Sequence, residues 1–432
     1  MNNYLIYLAY QLVTGLLGLA AWPWFRRHLT SRGGGESFFP RLGLQLPPAP
    51  PPGRPRIWLH GVSVGEILSA VALVREVRAL LPGAALTLST GTETGQAVAR
   101  RHFAPGCQVC YFPLDLPWAV QGYLGRLRPD IFIALESEIW PGFLTAAHRR
   151  GVRLALLNAR LSDRTLRRYL KYGRYLLHIF KYFELITVPS ATDRERLLSL
   201  GIPPALLHVT GNLKVDGLLA RQEQARADLP ELRRVLGLNS QPVLAAASTH
   251  AGEEEVVLEA YQKLLTPSPT LLLLLAPRHP ERAPEVARLL DARGLAWQSW
   301  QILNKGEEPR RAPVVLVDTV GDLFGLYGVA DLAFVGGSLA PHGGQNLLEP
   351  AAWGLAPLYG PHLHNFRWAQ NILESARAGF LIDDAAGLAR ALRRFLDHPD
   401  ERAAAGRRAR EALLPHQGAA RRQAELIAGM VW

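Results

Sequence analysis

The chain has 432 residues, 48 Lys+Arg against 37 Asp+Glu for a net charge of +11, and a hydrophobic share of 48%. That length is more than one core usually serves, so two domains are expected, and the positive balance suits an anionic partner such as a phosphate-bearing lipid, a membrane surface or nucleic acid. Cys107 and Cys110 form a lone C-x-x-C between apolar residues; without the partners that a zinc or redox site needs, they read as two reduced, partly buried thiols of a cytosolic domain.

From Tyr4 to Trp22 no residue is charged, and as a helix the stretch spans about 28 Å, close to a bilayer core. Arg26, Arg27, His28 and Arg32 follow while nothing basic precedes, which places the rest of the chain in the cytosol. A signal peptide would begin with basic residues and end in a small-residue cleavage site, and neither is clear. An interfacial helix also fits, because Gln11, Thr14 and two glycines weaken the run. The expectation is a membrane anchor and basic flank over 1–32. A Gly/Pro-rich tether over 33–55 comes next, in which the prolines between Leu46 and Pro55 hold an extended spacer rather than a packed element.

From Arg56 onward short apolar runs alternate with helix-patterned stretches. Ile57–His60, Leu86–Ser89, Val109–Phe112, Ile131–Leu135, Leu154–Leu157 and Leu185–Val188 read as buried strands, the rhythm of a parallel, doubly wound sheet. The charged stretch Leu218–Leu236 interrupts it, and it resumes with Val243–Ala246, Leu271–Leu275, Val314–Val317, Leu332–Val335 and Ala356–Tyr359. The expected organisation is α/β: one Rossmann-like domain over 56–217, an interdomain linker region over 218–240, a second Rossmann-like domain over 241–400 and a C-terminal helical tail over 401–432. Two such halves in tandem describe the type B glycosyltransferase (GT-B) fold, whose substrates meet in a cleft between halves, although fold alone does not establish activity. Ligands of such sheets sit beyond the carboxyl ends of the strands, so chemistry is sought just after each apolar run.

The first such loop is His60–Glu66, where two glycines allow a tight strand-to-helix turn and Glu66 falls in the first helical turn. Its carboxylate can project toward a substrate or simply complement the helix dipole. Glu136–Pro141 sets Glu136 and Glu138 directly after a buried run, a costly placement unless water, a cation or a substrate reaches them; a salt bridge or an N-cap is the plainer reading. In Gly211–Asp216, Lys214 can stabilise negative charge, while a surface turn closed by Asn212 and Asp216 explains the same residues. Further on, Arg278 in Pro277–Pro280 is a natural phosphate partner, and Val320–Asp322 and Gly336–Ser338 each follow a strand. Gly343–Pro350 opens an expected helix whose N-terminus would make an anion site, with Glu349 placed to accept from ribose hydroxyls; a plain Gly-Gly turn is the alternative.

No G-x-x-x-x-G-K-[ST] occurs, nor a G-x-G-x-x-G beside a strand with an acid at the right distance, which disfavours a kinase or an NAD enzyme. His60, His250, His279, His342, His362 and His364 show no compact ligand spacing; no metal is expected, and Arg278 would neutralise charge instead.

Taken together, His60–Glu66, Glu136–Pro141, the run Asn158-Ala159-Arg160-Leu161-Ser162, Gly211–Asp216, Ala276–Pro280 and Gly343–Pro350 resemble the 3-deoxy-D-manno-octulosonic acid (Kdo) transferases of Gram-negative bacteria. The likeness runs from the N-terminal stretch to about residue 370, and the specificity lies in six motifs in the right order. It implies an inverting GT-B enzyme that takes Kdo from CMP-Kdo and attaches it to a lipid A precursor (lipid IVA) at the cytoplasmic face of the inner membrane, in lipopolysaccharide core biosynthesis. The first Rossmann-like domain would take the acceptor and the second the nucleotide sugar, with no cofactor and no nucleic-acid partner. By that likeness Glu66 is the proton acceptor, and Glu136 and Lys214 stabilise the transition state. The cytidine nucleotide lies against Pro277 and Arg278, Val320, Gly321 and Asp322, and Asn346, Leu347, Leu348 and Glu349. Asp322 stands where a longer Glu is common and Leu347 where Pro is frequent, so Asp322 is the least secure contact. A uridine-sugar donor, or a membrane-attached protein that binds nucleotide or lipid without turnover, are the rival readings.

Overall fold

The computed structural model describes Tyr7, Tyr10–Leu16 and residues 35–431 apart from Pro105, Ser162 and Gly173. Most of the expected anchor, and all of its basic flank, lie outside the described residues. Tyr10–Leu16 are helical, the Tyr10 hydroxyl donates to Asp115 at 2.8 Å, and no described helix is long and apolar enough to cross a membrane.

The chain forms two compact units, one of residues up to Gly217 together with those from His416 onward, the other Leu218–Pro415. In the first, β1 (Arg56–Gly61), β2 (Ala85–Thr90), β3 (Gln108–Tyr111), β4 (Ile131–Leu135), β5 (Arg153–Leu157), β6 (Phe183–Val188) and β7 (Leu207–Val209) make one sheet in the order β3-β2-β1-β4-β5-β6-β7. All neighbours are parallel. Because successive side chains point to opposite faces, an apolar run covered on both sides feeds two cores. Trp58, Phe132 and Leu156 join one, where Trp58 meets Phe143 edge-on at 5.0 Å; Ile57, Leu59, Ile133 and Leu157 join the other.

The second unit repeats the scheme with β8 (Val243–Thr249), β9 (Leu272–Pro277), β10 (Trp297–Ser299), β11 (Val314–Leu316), β12 (Leu332–Val335), β13 (Pro357–Tyr359) and β14 (Phe380–Leu381), in the parallel order β10-β11-β9-β8-β12-β13-β14. The short strands β7, β10 and β14 are not among the apolar runs of the sequence.

Three segments differ from expectation. The 33–55 stretch is not a free spacer: α1 (Gly35–Arg41) and Leu42 bury Phe38 and Leu42 against Leu116 and Ala119. The Tyr123 hydroxyl then donates to Pro40 O, the Trp118 indole to Leu42 O and Arg126 to Pro47 O. Proline removes N–H donors but leaves carbonyls, and these carbonyls are what the first unit holds. The 218–240 linker region belongs to the second unit, where buried Leu236 and half-buried Leu229, Leu232 and Val235 pack with Leu272 and Leu274. The 401–432 tail divides: α2 (Val64–Leu80) carries Ile67, Ala70, Leu73, Val74 and Val77 on one stripe, and the C-terminal helix α4 (Ala419–Gly429) covers it with Ala420, Ala424 and Ile427. Between these two helices in sequence, α3 (Leu213–Ala225) runs across the unit boundary. Asp216 on α3 ties down the start of α4 by accepting from Gly418 N and Ala420 N.

Candidate active site

The strand order of the first sheet reverses between β1 and β4, and loops leaving neighbouring strands there part to open a crevice. Glu66 follows β1 and Glu136 follows β4 directly. The turn into α2 is closed by Ser63, the N-cap, whose Oγ accepts from Glu66 N and donates to Glu66 Oε1 at 2.7 Å. Val62 N donates to Glu66 Oε2 at 2.8 Å. At Gly61 a Cβ would stand 3.2 Å from Leu135 Cδ1 and 3.3 Å from Glu66 Cβ, so a side chain there would crowd the acid. Glu66 is thus both the capping acid of its helix and 7% exposed. Burial raises its pKa; the Ser63 hydrogen bond, Val62 N–H and Lys214 lower it, and Glu136 raises it.

Glu136 has φ +57°, a sparsely populated region for a residue with a side chain and one found at functional sites. Its N–H is fixed on Leu157 O at 2.8 Å. Lys214 Nζ lies 2.5 Å from Glu136 Oε1, a close approach of charges. Asn212 caps the helix of Lys214 by accepting from Lys214 N, and Asn158 Oδ1 accepts from Leu213 N; with Asn212 1% exposed and Asp216 inside the helix, these residues form a buried cap rather than a surface turn. The Lys214 stem passes Gly65, where a Cβ would stand 3.8 Å from Lys214 Cε. Glu138, in the same loop as Glu136, accepts from the Trp140 indole at 2.9 Å, and burial, then the charges of Glu66 and Glu136, push its carboxyl up to about 7.

In the second unit, Arg278 is exposed just past β9, its N–H on Thr249 O. Glu349 is partly buried; burial raises its pKa, while Arg221, Asn346 and Arg278 lower it. Those four residues therefore share one neighbourhood. Val320 is 87% exposed beside Gly321 at φ +105°. The Asp322 carboxylate is already engaged, accepting from the Trp300 indole at 3.0 Å and Thr319 Oγ1 at 2.6 Å.

Two expectations change here. The helix after Gly343-Gly344 is only Leu348–Ala352, and Asn346 Oδ1 occupies its Leu348 N–H, so it offers no free N-terminal anion site. Gly343 and Gly344 have φ +91° and +81°, and make the turn that brings Asn346 to Glu349. Leu347 and Leu348 are buried side chains, which leaves only their backbone to a ligand. The backbone N–H groups of Gly337, Ser338, Leu339 and Ala340 all donate to the buried Glu253 carboxylate; an internal acid fills the loop after β12.

Sequence reasoning passed over Arg221, which lies in the expected linker, stacks 4.2 Å above the Phe324 ring and reaches toward Gly321 O at 3.5 Å. A lone arginine in a charged helical stretch carries no local signal of this. Arg160, just past β5, is near enough to Glu136 to feel its charge.

The sequence pattern of the 3-deoxy-D-manno-octulosonic-acid transferase (kdotransferase) family matches residues 36–217. The chain is 34% identical over 417 residues to the 3-deoxy-D-manno-octulosonic acid transferase of Haemophilus influenzae, covering 96% of this chain and 93% of that one. It is 35% identical over 426 residues to the enzyme of the same name from Bordetella pertussis, covering 95% and 97%. Among solved structures, a glycosyltransferase from Rickettsia africae superposes with a TM-score of 0.56 at 13% identity over 87% of this chain and 98% of that one, a likeness of fold.

Proposed function

The chain belongs to the 3-deoxy-D-manno-octulosonic acid transferase family, and from that premise we propose that it moves Kdo from CMP-Kdo to a lipid A precursor with inversion, Glu66 acting as general base. The observation that carries the assignment of the base is the grouping of Glu66, Glu136 and Lys214 at the reversal of the first sheet.

In this reading the acceptor hydroxyl oxygen attacks the anomeric carbon, the bond to the phosphate oxygen breaks, and CMP leaves with that electron pair. The hydroxyl proton passes to a Glu66 carboxylate oxygen, a transfer to which a positioned carboxylate contributes about 10²–10⁴-fold. Lys214, held by Glu136, balances the negative charge that gathers around the reacting centre. The second unit would take the donor: Arg278 and Arg221 neutralise phosphate, Glu349 and the backbone of Asn346–Leu348 contact the nucleoside, and exposed Val320 and Gly321 line the same neighbourhood. Pro277 contributes through its position at the end of β9. Asp322 would act by holding its loop, given that its carboxylate is engaged by Trp300 and Thr319. No metal or cofactor enters this scheme. The positive charge of the chain fits a phosphorylated glycolipid, and the uncharged Tyr4–Trp22 stretch with the arginines after it fits a single N-terminal anchor in a bacterial inner membrane, the two units on the cytoplasmic side.

The test is a product assay: purified protein with CMP-Kdo and lipid A precursor, read by mass spectrometry. Added Kdo mass on the lipid and released CMP are expected. Intact donor in the presence of folded protein and acceptor would refute transfer, and tighter binding of UMP than of CMP would refute the donor.

A further inference from the structure

Glu138 is left without a task by the chemistry above, and His60 faces it with an unused lone pair. His60 is fully buried in β1, its ring stacked on Phe112 at 3.8 Å between centroids. Its Nδ1 lies 3.2 Å from Ser89 O and 3.1 Å from Ser89 Oγ. The carbonyl can only accept and the hydroxyl can do either, so the tautomer that satisfies both has its proton on Nδ1, which makes Nε2 the acceptor. That Nε2 is buried with no hydrogen-bond partner among the described residues, and Oε2 of Glu138 stands 4.0 Å away.

A carboxylate can offer a lone pair nothing, whereas a protonated carboxyl offers an O–H. A buried acceptor left unmet is costly, so a donor at this position is favoured. Charging His60 instead would put a cation in a closed aromatic site near Arg41, and burial first, with Arg41 adding, drives its pKa down to about 3. The groups facing Glu138 agree: Glu66 from α2 and Glu136 from its own loop are acids, Trp140 donates one N–H, and Lys214 is already on Glu136.

We propose that Glu138 is a positioning residue that keeps its proton against the unmet nitrogen of His60, so that Glu66 is the charged carboxylate of this cluster left to accept the hydroxyl proton. Glu138 gives up nothing during turnover; loss of its proton puts a further negative charge beside Glu66 and returns two lone pairs to face each other. The inference rests on Glu66 being the base.

Glu138→Gln supplies an amide N–H to His60 and never ionises. It is expected to keep kcat within about threefold and to lose the alkaline fall of the pH profile, whereas Glu138→Ala lowers kcat by about tenfold or more with KM for CMP-Kdo unchanged. A Gln variant as impaired as the Ala variant, or one whose alkaline limb matches the wild type, overturns the proposal. Infrared difference spectra of the unaltered enzyme supply a readout independent of activity: a protonated-carboxyl C=O band at neutral pH that Glu138→Gln removes is expected, and its absence overturns the proposal even with Glu66 still the base. A fully active Glu66→Gln enzyme would instead defeat the underlying reading while leaving that band in place.

Discussion

Lys214 Nζ stands 2.5 Å from Oε1 of Glu136, joining the first turn of α3 to a backbone position at φ +57° just beyond β4. The lysine compensates an acid that the sheet forces next to Glu66, and its charge also holds the Glu66 pKa down. Lys214→Ala is therefore expected to lower kcat about 10²–10³-fold, and to move the acid limb of kcat/KM to higher pH, since an influence that favours ionised Glu66 is gone. Lys214→Arg keeps the charge and should keep part of the rate and the original limb. An Ala variant with a wild-type profile would remove Lys214 from the chemistry.

With Glu66 as the proposed base, the acid limb is expected to follow its ionisation. Burial raises its pKa above the ordinary glutamate value, and only the ionised form takes a proton, so activity is present above that raised pKa and lost as pH falls through it. Ser63 donates 2.7 Å to Glu66 Oε1 and lowers the pKa. Ser63→Ala should move the limb upward in pH and, by deleting the N-cap of α2, cost about 0.5–2 kcal/mol of stability. Glu66→Gln should abolish transfer while CMP binding, measured by calorimetry, is unchanged.

Much of this was legible in the sequence, and what was missed has a physical pattern. Buried strands announce themselves as apolar runs, so β1, β4, β9 and β12 could be read directly, and with them the positions of Glu66, Glu136 and Arg278. The edge strand Trp297–Ser299 is half-exposed throughout and too short to carry a run. The approach of Glu138, in the loop after β4, to His60 on β1 joins positions far apart in sequence, which no spacing rule encodes. The tail reads as helical; that its last helix rests on α2 depends on the chain returning to the first unit.

Arg278 and Asp322 should separate binding from scaffolding. Arg278 is exposed and, among the described residues, hydrogen-bonded through its backbone alone, so Arg278→Ala should weaken CMP binding by about 1.5–3 kcal/mol, the range of a charge-assisted hydrogen bond, at unchanged Tm. Asp322 satisfies the buried Trp300 indole and Thr319. Asp322→Ala should instead lower the Tm of the second unit's transition, the unmet groups costing about 1–3 kcal/mol. Calorimetric titration with CMP alongside a thermal scan distinguishes the two.

The C-terminal helix should matter to Glu66 through the helix that carries it. Ile427 is fully buried in the core that also holds Ile67, Leu73 and Val77 of α2, and truncating such a side chain to Ala costs about 2–5 kcal/mol through lost transfer energy and the cavity left behind. Asp216→Ala removes the acceptor that fixes Gly418 N and Ala420 N, a capping loss of about 0.5–2 kcal/mol. Both lesions act on the far face of the helix whose first turn carries Glu66. The expected outcome is a lower Tm for the first unit, faster hydrogen exchange along 64–80, and a fall in kcat that grows with temperature, with CMP affinity in the second unit unaltered. Wild-type exchange along α2 in either variant would mean that the packing of α4 does not hold the Glu66 helix in place.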